Sequence, residues 1–82
     1  MDVTREVISI LDEVLSLGPR SSGFERSTPL LGAIPELDSM AVASLLTAFE
    51  ERFGIAVDDE LDGNTFATVG SLADYVIERL PA

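Results

Sequence analysis

The 82-residue sequence contains no cysteine, histidine, lysine or tryptophan. Cysteine thiols, histidine imidazoles and lysine amines are the side chains that most often act as nucleophiles, general bases or zinc ligands. Their absence argues against a self-sufficient enzyme, and we predict no catalytic residue. Without cysteine there is no disulfide either, so stability must come from packing.

Basic residues are also scarce, since five arginines stand against 15 acidic residues and the formal net charge is −10. Such a chain is repelled by nucleic acids and by anionic membrane surfaces. Asp2, Arg5 and Glu6 do not suit a signal peptide, and no apolar run approaches membrane-spanning length. We therefore expect a cytoplasmic monomer that binds proteins with basic surfaces, with no nucleic-acid binding and no membrane insertion.

The length and the 46% hydrophobic content suit one small domain over residues 1–82. Three segments have apolar residues at the spacing of one helix face. Favourable caps precede them: Asp2 or Thr4, then Asp38, then Thr68. The predicted helices run from Val3 to Leu17, stopped by Gly18-Pro19, from Asp38-Ser39 to Phe53-Gly54, and from Thr68 to Leu80, ended by Pro81.

The connection from Gly18 to Asp38 contains three prolines and has no sustained period. Loops of this length in compact domains are usually functional or disordered. Its apolar side chains favour an ordered loop packed on the core. These side chains are Phe24, Leu30, Leu31, Ile34 and Leu37.

The segment after the second helix predicts three short features. Ile55 to Val57 suits an extended connector, Asp58 to Asn64 a solvated turn, and Phe66 a short helical turn that inserts its ring. The predicted fold class is therefore all-α, a small four-helix bundle with three long helices, one short helix and a long first loop.

The acidic turn imitates the opening of an EF-hand calcium loop, with Asp58, Glu60 and Asp62 at positions 1, 3 and 5 and Gly63 at position 6. The complete motif needs a bidentate glutamate at position 12, and Val69 stands there. An acidic solvated turn is the better interpretation, and we predict no metal site.

Ser39 stands with Asp38 at the first turn of the predicted second helix. Capping alone explains these residues, because serine and aspartate are preferred caps. Modification is the alternative: a phosphate ester on Ser39 would lie near free backbone N–H groups and the positive end of the helix dipole. An anion is favoured there by about 0.3–1 kcal/mol. Both explanations stay open at this point.

Three stretches resemble the acyl carrier protein family: Leu37-Asp38-Ser39-Met40, Phe49 to Ile55, and Thr68 to Val76. The resemblance covers nearly the whole chain. It implies a carrier, not an enzyme, with an acyl-carrier-like bundle and a covalent 4′-phosphopantetheine on Ser39. A phosphopantetheinyl transferase would supply this group from coenzyme A, with Asp38 beside the reaction centre and sharing its Mg²⁺ ion. Acyl groups would be bound to the phosphopantetheine thiol as thioesters. Acyl-loading enzymes would supply them and acyl-consuming enzymes would remove them.

The chain departs from the family pattern beside the motif. Met40 replaces the usual leucine with an apolar side chain of similar volume, and Leu37 replaces the usual glycine two residues before the serine. Ala41 and Ser44 occupy positions that are often acidic in fatty-acid-synthase carriers. Attachment survives these changes, but assignment to central fatty-acid synthesis does not. Fatty-acid-like, polyketide-like and accessory pathways stay open, as do an aminoacyl or peptidyl carrier and a non-enzymatic acidic interaction module.

Helix periodicity also predicts where partners dock. Met40, Ala41, Ser44 and Thr47 fall on an outward strip that begins at the attachment point, and Glu51 lies further along it. We expect this strip to be less acidic and more apolar than in a typical fatty-acid-synthase carrier. The lack of cysteine and lysine would also leave almost no internal group able to capture a bound acyl chain; a biased genome composition explains the same absence.

Overall fold

A computed structural model describes residues 2–57 and 64–80. Within these ranges the chain forms three α-helices, one short 3₁₀ helix and no β-strand, so the all-α, four-helix fold class is confirmed. The helices are α1 (Val3–Leu15), the 3₁₀ helix (Gly18–Gly23), α2 (Ser39–Phe53) and α3 (Val69–Arg79). The EF-hand-like turn at 58–63 and the predicted stop at residue 81 lie outside the described residues.

Helix α1 begins where the sequence predicts and ends earlier. Asp2 caps it by accepting a hydrogen bond from the Arg5 N–H, at 3.3 Å. The predicted end at Leu17 is wrong, because Ser16 adopts a left-handed conformation with φ of 54° and closes the helix after Leu15. The Asp12 carboxylate then accepts a hydrogen bond from the Gly18 N–H at 2.7 Å, which gives this backbone group a partner where the chain leaves the helix.

Helices α2 and α3 have the predicted caps. Asp38 caps α2, and Gly54 ends it with φ of 67°, a conformation that glycine adopts without strain. Thr68 and Ser71 form a reciprocal capping box at the start of α3, with bonds of 3.0 and 3.1 Å between their side chains and backbone N–H groups. Local sequence therefore determines both helix starts.

The core lies where α1 packs against α2 and α3. Its fully buried side chains come from all three helices and the first loop, and no polar or charged residue of the described ranges is buried. The largest of them are Phe49, Ile10, Leu11, Leu30, Leu45, Leu72, Val7, Val69 and Val76. The side of α2 that this core does not cover remains available for a site.

Residues 26–31 of the first loop dock on residues 66–70, and we call this contact the loop seam. Four backbone hydrogen bonds hold the seam, three of them at 2.9 Å or less and one at 3.0 Å. Gly70 allows the approach, because a Cβ atom there would stand 2.9 Å from the Arg26 carbonyl oxygen. Phe24 is half-buried, while Leu30, Ile34 and Leu37 are buried, so the ordered, packed loop is confirmed.

Some local predictions need correction. The short helix lies at Gly18–Gly23, whereas the chain around Phe66 forms a single turn closed by a 3.2 Å bond from the Ala67 N–H to the Asn64 carbonyl. The Phe66 ring is nevertheless buried, as predicted. Leu31 does not anchor the loop, because it is 50% exposed while its neighbour Leu30 takes the core position.

Beyond α2 the chain continues at 55–57 as a connector that is neither helix nor strand. Ile77 is about half exposed, because the buried face of α3 is narrower than the apolar pattern suggested. In the described part of the chain, no helix combines the length and apolar content that crossing a bilayer requires.

Candidate functional site

The structure at the start of α2 distinguishes the two explanations for Ser39, capping and modification. Asp38 is the cap, since its carboxylate accepts a 2.8 Å hydrogen bond from the Ala41 N–H. Ser39 is the first helical residue, its side chain is exposed, and its hydroxyl bonds to none of the described residues. Capping therefore does not occupy Ser39, and its hydroxyl is free to react.

The N-terminus of α2 stabilises an anion less than the sequence predicts. Asp38 takes the Ala41 N–H, so among described residues only the N–H groups of Ser39 and Met40 remain without a partner at this end. The Asp38 carboxylate also places a negative charge beside any phosphate on Ser39. The favourable effect of the helix dipole is consequently offset in part at this site.

Asp38 can supply a single carboxylate to a metal ion. No group of three acidic side chains able to hold a metal occurs in residues 2–57 or 64–80. Mg²⁺ is usually bound through one or two carboxylates together with substrate phosphates and waters. Any such ion at Asp38 would therefore need its other ligands from a bound enzyme and its substrate.

Four of the five predicted docking residues lie on one exposed face of α2. Met40 is 79% exposed, and Ser44, Thr47 and Glu51 follow it at helical spacing and are also exposed. Ala41 is different, because it is half-buried and packs against the core. We call Met40, Ser44, Thr47 and Glu51 the docking strip; only its last member is charged.

Residues 32–38 lead into Ser39, and we call them the approach segment. The segment is a series of tight turns, with 3.1 Å bonds from the Leu37 N–H to the Ile34 carbonyl and from the Asp38 N–H to the Glu36 carbonyl. Both Ile34 and Leu37 are buried. The leucine that replaces the family's usual glycine is thus a core anchor immediately before Asp38.

An ion pair between this segment and the 3₁₀ helix was not predicted from the sequence. The Arg20 guanidinium, at the 3₁₀ helix, meets the Glu36 carboxylate with two nitrogens facing two oxygens. This hydrogen bonding lowers the pKa of Glu36 and raises the pKa of Arg20. No periodicity points to the pair, because its members lie 16 positions apart in an aperiodic stretch.

Comparison with known proteins agrees with this geometry. The family profile of the phosphopantetheine attachment site matches residues 5–76. The fold is also similar to the solution NMR structure of the holo acyl carrier protein from Nitrosomonas europaea, with a TM-score of 0.87 and 49% sequence identity over 95% of each chain. This chain therefore belongs to the phosphopantetheine-attachment family of acyl carrier proteins, as a carrier and not an enzyme, with 4′-phosphopantetheine as its covalent group.

Proposed function

We propose that Ser39 takes the phosphopantetheine group and that the protein carries acyl groups on it between partner enzymes. The observation that carries the proposal is the free, exposed Ser39 hydroxyl beside a cap that Asp38 already supplies. A serine used only as a cap would direct its oxygen to a backbone N–H group. For the same reason the alternative of an acidic interaction module, with Ser39 only as a cap, is disfavoured.

Attachment requires one bond to form and one to break. A phosphopantetheinyl transferase joins the Ser39 Oγ atom to the phosphorus of the phosphopantetheine group as the phosphoanhydride P–O bond of coenzyme A breaks. The hydroxyl proton passes to a base of the transferase or to water, and adenosine 3′,5′-bisphosphate is the leaving group. Asp38 fixes the helix start, so the hydroxyl points away from the core. The bound group supplies a thiol that holds acyl groups as thioesters.

Partners dock on the docking strip in this proposal. Its first three members carry no charge, while the protein as a whole has a net charge of −10. Long-range attraction to basic partner surfaces would speed encounter and weaken with salt, whereas Met40 and its neighbours would select the partner at close range. The uncharged strip favours a fatty-acid-like, polyketide-like or accessory pathway over central fatty-acid synthesis, and the proposed carrier acts as a cytoplasmic monomer.

The attachment proposal is tested by intact-mass measurement. Wild-type protein, Ser39→Ala and Ser9→Ala are each incubated with a broad-range phosphopantetheinyl transferase and coenzyme A. We expect one added phosphopantetheine on the wild type and on Ser9→Ala, whose altered hydroxyl is exposed on α1, away from the docking strip. Addition to Ser39→Ala, or none to a folded wild type, would overturn the proposal.

A further inference from the structure

The approach segment has one polar connection to the rest of the described protein. Its backbone hydrogen bonds join residues within 30–42 and reach no other part of the described chain. The Arg20–Glu36 ion pair is the one side-chain hydrogen bond or ion pair that joins residues 32–38 to a distant described residue. Whatever orients this segment besides packing must therefore act through these two side chains.

Arg20 is well placed to hold the segment because it is itself held. Its Nε atom and its backbone N–H both donate to the Leu17 carbonyl, at 3.4 Å each, and Leu17 is buried in the link between α1 and the 3₁₀ helix. The guanidinium therefore connects the approach segment to the core through a short path. A forked arginine–carboxylate contact also restricts orientation more than a single point charge does.

Packing alone leaves room for movement beside this contact. Arg20 and Ile34 both line a cavity of about 220 Å³, together with Phe24 and Pro29. The 3₁₀ helix and the approach segment are thus not in close contact throughout. Ile34 and Leu37 anchor one side of the approach segment in the core. The Arg20–Glu36 ion pair connects the segment to the 3₁₀ helix.

We propose, building on the role proposed for Ser39, that Arg20 is a positioning residue for phosphopantetheine transfer. Through Glu36, Arg20 holds the approach segment, and the segment holds Asp38 and Ser39 in the arrangement that the transferase binds. Without the pair, the segment samples additional conformations, and the transferase binds only the fraction that remains competent. Such a loss weakens apparent binding and leaves the rate of the bound complex unchanged.

Steady-state kinetics of the transferase test this role. Arg20→Gln and Glu36→Gln each remove the pair, Arg20→Lys keeps the charge without the fork, and Arg20→Glu with Glu36→Arg restores a reversed pair. Arg26→Gln is the matched control, because the Arg26–Asp74 pair also anchors the first loop. The side chains are similarly exposed, at 53% and 56% against 52% and 36% for Arg20 and Glu36.

We expect KM for the carrier to rise about twofold to threefold in either glutamine variant, with kcat unchanged, because an exposed ion pair shifts the equilibrium between competent and other conformations by about fivefold at most. The double glutamine variant should be no worse than either single one. Arg20→Lys should be intermediate, and Arg26→Gln should match the wild type. The reversed pair should recover part of the loss, because Arg20→Glu restores the ion pair but removes the Nε donor to the Leu17 carbonyl. Wild-type KM in Arg20→Gln would overturn the proposal, and so would a reversed pair whose KM is no lower than that of Arg20→Gln.

Amide hydrogen exchange gives a readout without any enzyme. In Arg20→Gln the amides of Leu37 and Asp38 should exchange faster, while the Leu30 amide in the loop seam stays as slow as in the wild type. Unchanged exchange at all three would also contradict the positioning role. A folded wild type that is never modified would instead remove the proposed function of Ser39, so the two failures are distinguishable.

Discussion

The two halves of the first loop are held in different ways. The loop seam at 26–31 has four backbone hydrogen bonds to residues 66–70, the Arg26–Asp74 ion pair and the fully buried Leu30. The approach segment has local turns, two buried side chains and the Arg20–Glu36 pair. Backbone contacts to residues 66–70 hold the first half, whereas side chains hold the half that leads into Ser39.

This contrast makes the approach segment the easier half to adjust. The backbone bonds of the seam tolerate changes in the exposed side chains of the loop, although they need the buried Leu30 and the space at Gly70. The approach segment, in contrast, has an anchor on the protein surface, the Arg20–Glu36 pair. A substitution in this pair should change the approach segment without loss of the fold, and the predictions below separate the two halves.

Replacing leucines in the seam should give the largest effect. Leu30 is fully buried and Leu31 is 50% exposed, although they are adjacent. We expect Leu30→Ala to lower the free energy of unfolding by about 2–5 kcal/mol, because it leaves a cavity in the core. Leu31→Ala should cost less than about 1 kcal/mol. Urea denaturation measures both, and equal losses would contradict the assignment of Leu30 as the seam's anchor.

A methyl group at Gly70 should open the seam from the other side. The added Cβ would approach the Arg26 carbonyl oxygen to 2.9 Å, so backbone must shift. We expect Gly70→Ala to cost about 1–3 kcal/mol of unfolding free energy. Gly23→Ala is the control, since nothing lies within 4 Å of a Cβ there. If the two variants unfold at the same urea concentration, close approach at Gly70 is not what holds the loop.

Changes on the docking strip should leave both halves of the loop intact and affect transfer. Ser44→Glu places a charge on the exposed face of α2, and Ser9→Glu makes the same change on an exposed position of α1. For an enzyme that loads the wild type through the uncharged strip, we expect kcat/KM to fall about tenfold with Ser44→Glu, equivalent to about 1.4 kcal/mol. Ser9→Glu should stay within about twofold. Unchanged loading of Ser44→Glu would argue against a specificity role.

The smallest expected effect is on the ionisation of Glu36. Hydrogen bonding from Arg20 lowers the pKa of Glu36, so the pair adds stability above the carboxylate's unfolded pKa and loses it as the pH falls through the folded pKa. Arg20→Gln should raise the pKa of Glu36 toward its ordinary value, as measured by carboxyl ¹³C NMR. Arg26→Gln should leave this pKa unchanged. A Glu36 pKa that does not move in Arg20→Gln would mean that the pair does not persist in solution.

Helix starts were predictable because their causes are local. Asp38 and Thr68 cap within three residues of themselves, and the apolar spacing of each helix identifies its buried face. The burial of Leu37 followed from its apolar character alone. These features depend on short-range backbone chemistry and on the hydrophobic effect, both of which are legible in a single sequence.

Features that depend on distant contacts were not predictable. Nothing in the sequence decides between Leu30 and Leu31 for the core position, and the close approach at Gly70 depends on where Arg26 docks. The Arg20–Glu36 pair joins two aperiodic stretches, and the 3₁₀ helix carries no buried residue that would give it a periodic pattern. Such contacts follow from the folded arrangement of the loop rather than from any local pattern.

Localisation of the added group in the wild-type protein tests the central claim most directly. Because the chain has arginine and no lysine, trypsin releases residues 27–52 as one peptide whose hydroxyl residues are Ser27, Thr28, Ser39, Ser44 and Thr47. After treatment with transferase and coenzyme A, fragmentation of this peptide should place phosphopantetheine on Ser39. Phosphopantetheine on any of the other four, or outside this peptide, would contradict the account.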